Sequence, residues 1–195
     1  MSIEIPFFSI LIPSYNRPDE LSRCIGSIIV GPFEDYEIII SDDNSPRKSE
    51  IEAVVQSFGS GGKIRFYQQA SNLKEPDNKN SLVNQARGQF NIILGDDDTL
   101  AKEALSYLYN YIDIEPKSDI YGFGYRVVDE HGGHLSVNRS SRSVHLEGHV
   151  SRLKLLEAGL LPMAIFHPAT FCCRAGVEKS LPYSTQVGIG EDLFF

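Results

Sequence analysis

Four short apolar runs, FFSILIP (7–13), YEIIIS (36–41), KIRFYQQ (63–69) and FNIIL (90–94), are separated by stretches whose apolar residues recur at helical spacing. Three of the runs are continuous, as in strands buried on both faces, whereas KIRFYQQ alternates. Between them, Leu21, Ile25, Ile28 and Ile29 form one helix stripe, with Pro18 near its start and Gly31 at its end; Ile51, Val54, Val55 and Phe58 form another. A short helix is expected around Leu82, Val83 and Ala86, and Leu105, Leu108 and Ile112 mark one after the fourth strand. Such alternation requires right-handed crossovers between parallel strands. The expected fold is therefore α/β, a Rossmann-like, doubly wound, mostly parallel sheet. With 195 residues and 42% hydrophobic content, the chain suits one domain over 1–195, burying roughly 70% of the surface its unfolded form exposes.

The second half reads differently. DIYGFGYRVVDEHGGHLSVNR has the pattern of two strands around a Gly-Gly turn, SRLKLLEAGLL that of an amphipathic helix, and MAIFHPATFCCRA that of a further strand. His131 and His134 flank the two glycines, where a hairpin turn is the simpler explanation than a metal pair. His167 is either an acceptor-side residue or a satisfied core histidine. Tyr107, Tyr109 and Tyr111 alternate within a helix and so cannot share one face. Cys172 and Cys173 read as small core residues.

In open sheets of this kind ligands bind beyond the carboxyl ends of the strands. That rule selects the loops PSYNRP, SDDNSP and GDDDT as neighbours. The last carries three adjacent carboxylates, and two such charges about 4 Å apart repel by roughly 4 kcal/mol near a protein surface. Asp98 or Thr99 could cap a helix starting at Leu100. Alternatively the carboxylates hold a divalent cation that in turn holds a phosphate. Asp42, Asp43 and Asn44 suit a turn that reverses the chain, a binding site, or one of each.

Read in order, FSILIPSYNRPDEL, YEIIISDDNSP, NKNSLVNQARGQFNIILGDDD and GEDLFF resemble the family 2 inverting glycosyltransferases of GT-A fold. The resemblance implies a nucleotide-sugar-binding half over 1–115 and a smaller mixed, acceptor-side half over 116–195. It places a nucleobase, uracil by preference with thymine also allowed, along Tyr15 and the backbone around Pro13, with Asp43 accepting from the imino N–H of the base. Lys79 and Asn80 stand where the family commonly has an Arg-Asn pair, so both are expected to bind the nucleotide, with Lys79 meeting the diphosphate; the alternative is a solvated surface lysine. The triplet resembles the DxD motif, with Asp96 near the ribose or the metal shell, Asp98 as direct ligand of Mn²⁺ or Mg²⁺, and Asp97 sharing either task. Asp192, or Glu191 beside it, resembles the base that deprotonates the acceptor hydroxyl. Family members usually continue beyond the position of Phe195, so the chain is expected to be truncated at its C-terminus.

The implied activity is metal-dependent, inverting transfer of a sugar from a nucleoside diphosphate donor, a UDP-sugar by preference, to a saccharide or lipid-linked saccharide hydroxyl in surface polysaccharide assembly. Two alternatives are a non-catalytic sugar-nucleotide-binding module and a phosphatase of the haloacid dehalogenase type, for which IILGDDDTL is an imperfect match. A nucleotidyltransferase would need a glycine-rich loop where PSYNRPDE stands. The formal net charge of -8 opposes nucleic-acid binding. Three cysteines without CxxC spacing indicate neither a disulfide framework nor a zinc site. No apolar run approaches the ~20 residues of a membrane span. The expected location is cytoplasmic, with peripheral placement at the inner face of the membrane left open.

Overall fold

The computed structural model describes residues 5–59, 61–122, 124–129, 133–138, 171–180 and 182–183. Strands β1 (Phe8–Ser14), β2 (Tyr36–Asp42), β3 (Ile64–Gln68) and β4 (Phe90–Ile93) alternate with helices α1 (Pro18–Ile29), α2 (Lys48–Ser57) and α3 (Glu75–Gln85). Helix α4 (Ala104–Ile114) follows, then β5 (Ile120–Gly122), β6 (Tyr125–Val128), β7 (His134–Asn138), β8 (Phe171–Arg174) and α5 (Val177–Ser180). Six strands make one sheet in the order β3-β2-β1-β4-β8-β5. The first four are parallel, and β8 runs antiparallel to both of its neighbours. The doubly wound sheet expected from the alternation of elements is the one that forms.

Side chains alternate across the strands. Phe8, Ile10, Ile12, Ile38, Ile40, Phe90 and Ile92 pack against the stripes of α1, α2 and α4. On the other face Leu11, Ile39 and Ile93 meet Leu82 and Val83 of α3 together with Tyr183. Two positions along the strands from those three, on the same face, are Ser9, Glu37, Ser41 and Asn91, all buried. One face is thus a hydrocarbon core, and the other mixes apolar contacts with a buried polar layer.

Two local expectations are corrected. The helix after the acidic triplet begins at Ala104, not Leu100, and has no side-chain cap. The N–H of Leu100 lies instead in a loop and donates to Ser27 Oγ at 2.9 Å, so neither Asp98 nor Thr99 caps that helix. The segment expected as two strands holds three. β5 joins the main sheet, and only β6 and β7 form the hairpin, closed by mutual bonds between Asp129 and Gly133. Its tip, with His131, lies outside the described residues, as do the expected helix at 151–161 and His167.

The polar layer locks the strands together. Glu37 accepts from Ser9 Oγ at 2.6 Å, from the Arg87 N–H at 2.8 Å and from Arg65 Nε at 3.1 Å. Gly88 donates its N–H to the same Ser9 hydroxyl. A Cβ on Gly88 would lie 2.6 Å from Ser9 N and 2.7 Å from Ser9 Oγ, so only glycine allows this approach. Glu37→Ala takes the counter-charge from Arg65, which keeps Tyr67 and Gln85 O, and leaves the Ser9 hydroxyl and the Arg87 N–H without their acceptor. The expected loss is about 3 kcal/mol, read as a lower midpoint in urea unfolding, and a loss below about 1 kcal/mol would show that the layer does not hold the strands.

Candidate functional site

Strand order reverses at β1, which pairs with β2 on one side and β4 on the other. The β1–β4 ladder ends where the Leu94 N–H donates to Leu11 O, and beyond it the two chains diverge into a crevice. Pro13 falls there. It shares the parity of Leu11, so its missing N–H faces the crevice and costs no ladder bond. The rule that ligands bind at such a switch point selects this opening.

The loops after β1 and β2 are built alike. Each turns on an asparagine with positive φ, Asn16 at 62° and Asn44 at 59°, a conformation that asparagine tolerates better than most residues. Asp42 makes the turn: its carboxylate accepts from the Ser45 hydroxyl and from the Ser45 N–H. The same hydroxyl accepts from the Asn16 N–H at 2.7 Å, which ties the loops together. Asp43 is held differently. Its Oδ1 accepts from the Leu73 N–H at 2.6 Å and its Oδ2 from the Lys74 N–H at 3.0 Å. Each oxygen keeps a second acceptor position. Tyr15, 47% exposed, stands at the mouth.

Across the crevice Asp96 is only 4% exposed. Its Oδ2 accepts from the Tyr15 N–H at 3.2 Å and its Oδ1 from Arg17 Nη1 at 3.1 Å. The same Arg17 nitrogen reaches Asp97 Oδ2 at 2.7 Å. Burial pushes the Asp96 carboxyl above its ordinary range; Arg17 and the Tyr15 N–H pull it back without cancelling that cost. The buried Ser14 hydroxyl lies outside hydrogen-bonding geometry, but close enough to Asp96 to favour its charged form. Burial acts against the Arg17 cation, and the two aspartates outweigh it, so its pKa is raised. The turn folds back on Gly95, where a Cβ would stand 2.9 Å from an Asp97 oxygen and 3.0 Å from an Asp98 oxygen. Beneath it, Cys24 Sγ donates to Gly95 O at 3.5 Å, and burial, then the aspartates, drive its thiol pKa far up.

Lys79 is 1% exposed, which removes the alternative of a solvated surface lysine. Its Nζ lies 2.9 Å from Glu75 Oε1 and 5.2 Å from the centre of the Tyr183 ring. Asn80 directs its carboxamide to the backbone of Tyr183. The Tyr183 hydroxyl donates to the buried Glu178, which also accepts from Asn91 Nδ2 at 2.8 Å. Pro13, Tyr15, Asp43, Asp96, Asp97 and Asp98 therefore share the crevice edge, and Lys79 and Asn80 lie on α3 beneath the other face of the sheet. Glu191 and Asp192 lie outside the described residues. Arg17, Glu178 and Tyr183 were not singled out in the sequence. Arg17 looks there like a generic residue before a helix, and Glu178 follows a strand, β8, whose antiparallel direction puts its carboxyl end at the sheet edge away from the acidic loops.

An open, doubly wound sheet with acidic turns gathered at its switch point defines a crevice-binding α/β protein. Within that class, residues 9–175 match Glycosyl transferase family 2, and the chain belongs to that family. Over 156 residues it is 32% identical to the GalNAc(5)-diNAcBac-PP-undecaprenol beta-1,3-glucosyltransferase of Campylobacter jejuni, a match covering 79% of this chain and 48% of that protein. The crystal structure of S. aureus TarS 1–349 matches with TM-score 0.71 at 21% identity, over 95% of this chain and 52% of that one. Its complex with UDP-GlcNAc matches at 0.68 and 18%, over 94% and 51%. The mannosyltransferase PcManGT from Pyrobaculum calidifontis, in complex with GDP-Man and Mn2+, matches at 0.67 and 13%, over 97% and 51%. The chain thus has the GT-A fold and spans about half the length of these relatives.

The Glu178 carboxyl is raised above its ordinary 4.5 by burial, which Asn91 and Tyr183 offset only in part. A carboxyl raised on folding binds its proton more tightly in the native state, so its contribution to stability is full below 4.5 and declines as pH rises through the native value. Glu178→Gln should remove that decline. The difference in melting temperature between the two proteins is expected to grow in favour of the variant from pH 4.5 upward, and a pH-independent difference would contradict it.

Proposed function

We propose that the chain is the catalytic part of a metal-dependent, inverting glycosyltransferase. It moves a sugar from a nucleoside diphosphate donor, a UDP-sugar, to a hydroxyl of a saccharide or lipid-linked saccharide in surface polysaccharide assembly. The observation that carries this is the joining of Asp43, the base-reading candidate, and the acidic turn 96–98 around one crevice, with the Tyr15 N–H bonded to Asp96 across it. Support also comes from the relatives, one named for a PP-undecaprenol substrate and others solved with UDP-GlcNAc or with GDP-Man and Mn2+. Family membership replaces the phosphatase alternative.

The donor set fits a hard cation. Asp96 is engaged by Tyr15 and Arg17, and Asp97 by Arg17; the likeness of the triplet to DxD gives Asp98 the direct contact with Mn²⁺ or Mg²⁺. Among the described residues no three His, Cys, Asp or Glu side chains form a ready-made cage. None is needed where one or two carboxylates share the ion with substrate phosphates and water. Bound there, the cation would neutralise charge gathering on the departing diphosphate.

The protein's own groups do the rest. Tyr15 lines the base, Asp43 accepts its imino N–H, Asp96 accepts from a ribose hydroxyl, and Lys79 brings positive charge to the diphosphate. Asp192, with Glu191 as the alternative, takes the proton of the acceptor hydroxyl. The acceptor oxygen then bonds to the anomeric carbon from the face opposite the diphosphate. The carbon–oxygen bond to the diphosphate breaks with its electron pair, and the configuration inverts. Among the described residues no helix is long and apolar enough to cross a membrane; a lipid-linked acceptor would draw the protein to the inner membrane face as a peripheral partner.

Titration calorimetry with UDP tests the metal assignment. Mn²⁺ should raise affinity for the native protein and leave Asp98→Asn unaffected; an equal Mn²⁺ effect on both removes Asp98 as the ligand. Asp192→Asn should keep UDP affinity while transfer falls roughly 10²-fold or more, measured as UDP release with acceptor present. Normal transfer would move the role to Glu191, and UDP binding with no transfer by the native protein would favour a silent binding module.

A further inference from the structure

We propose that Asn80 is a positioning residue and not a nucleotide ligand: its carboxamide seats Tyr183, and the Tyr183 ring fixes the ammonium of Lys79. The proposal rests on the diphosphate role given to Lys79 above. Asn80 Nδ2 donates to Tyr183 O at 3.0 Å and Asn80 Oδ1 accepts from the Tyr183 N–H at 2.9 Å. Both ends of one planar amide are thus used on one residue, as a neighbouring strand would use them. Only a carboxamide side chain carries donor and acceptor in that arrangement, which gives a reason for asparagine at this position.

The seated ring is held at its far end as well. Its hydroxyl donates to Glu178 Oε1 at 3.3 Å, and Glu178 is itself fixed by Asn91 of β4. The ring can therefore neither turn nor slide without breaking buried bonds. It presents itself 5.2 Å from Lys79 Nζ. A fixed ring limits the many rotamers that a lysine side chain otherwise samples. Glu75, 2.9 Å from Lys79 Nζ, is 63% exposed, so that ion pair is screened. Holding a cation in place before the ligand arrives lowers the ordering cost of binding. Asn80 acts on the nucleotide through Tyr183 and Lys79, one residue after the other.

A double-mutant cycle on UDP affinity, measured by calorimetry with Mn²⁺, separates contact from positioning. Lys79→Met should weaken UDP binding about tenfold or more, the scale of a lost hydrogen bond to a charged group. Asn80→Ala should weaken it by less, and adding it to Lys79→Met should change nothing further. Asn80→Asp, which keeps the acceptor for the Tyr183 N–H, should fall between the native protein and Asn80→Ala, and it serves if the alanine variant folds poorly. In nucleotide-free protein, the ring-current shift of the Lys79 ε-methylene NMR signal should disappear in Asn80→Ala and Tyr183→Leu and persist in Tyr183→Phe. Additive losses in the double variant would make Asn80 a direct ligand and overturn the proposal, as would an unchanged methylene shift in Asn80→Ala. A neutral Lys79→Met would sink the diphosphate role itself, an outcome distinct from either.

Discussion

The bond from the Tyr15 N–H to the buried carboxylate of Asp96 is the contact on which the crevice depends. β1 and β4 stop pairing at Leu11 and Leu94, and from there nothing regular joins them. Asp96 spans the gap, accepting from the backbone of one loop while belonging to the other. An ionised carboxylate at 4% exposure costs several kcal/mol when unpaired, so the loop after β1 must supply compensation. It does so with the Tyr15 amide and with Arg17. Arg17 is half exposed, and its pairing with Asp97 involves a second exposed group. Water and salt screen that part of the interaction to a fraction of its vacuum strength. The amide therefore fixes the geometry of the crevice, and the guanidinium supplies a counter-charge that can be exchanged at small cost.

The two faces of the sheet divide the work. On the α1, α2 and α4 side, isoleucines and phenylalanines bury hydrocarbon, at about 1.5–3 kcal/mol for each large side chain. On the α3 side, Ser9 and Glu37, Ser41 and Asn78, Asn91 and Glu178 form buried hydrogen-bonded pairs. Such layers gain little net stability over apolar packing, but their directional bonds fix a single arrangement. α3 is the helix that needs a single arrangement, since it carries Lys79 and Asn80 and its leading loop supplies the amides that grip Asp43.

The architecture was legible in the sequence because burial on both faces of a parallel sheet leaves continuous apolar runs, and FFSILIP, YEIIIS and FNIIL are such runs. The rim loops were legible because acidic and turn-forming residues follow three of the strands, and the carboxyl ends of parallel strands lie at one edge of the sheet. The start of α4 was misplaced because Leu100 continues the apolar pattern while the backbone there is held by Ser27 on another helix, a tertiary contact that local pattern does not report. β5 was merged with β6 because a short strand's membership in a sheet depends on its partner, here β8, some fifty positions away. Arg17 and Tyr183 escaped notice for the same physical reason. Their partners are remote in the chain, 79 and 103 positions for the bonds to Asp96 and Asn80, and neither residue type is unusual where it stands.

Lysine stands at position 79, where the resemblance leads one to expect arginine, and the two cations make different demands on a buried site. A guanidinium carries five N–H donors in a fixed plane, and at 1% exposure each would require a partner. The partners of Lys79 include the Glu75 carboxylate and the face of the Tyr183 ring, both of which suit a compact ammonium. Lysine gives up bidentate geometry toward a phosphate, but the ring and the polar layer behind it restore order that a flexible side chain would lose. In a chain with net charge -8, a diphosphate must find its positive charge locally. Arg17 stands at the rim of the crevice and Lys79 on α3 beneath the other face of the sheet, each already paired with a carboxylate, so positive charge is supplied from two separate elements.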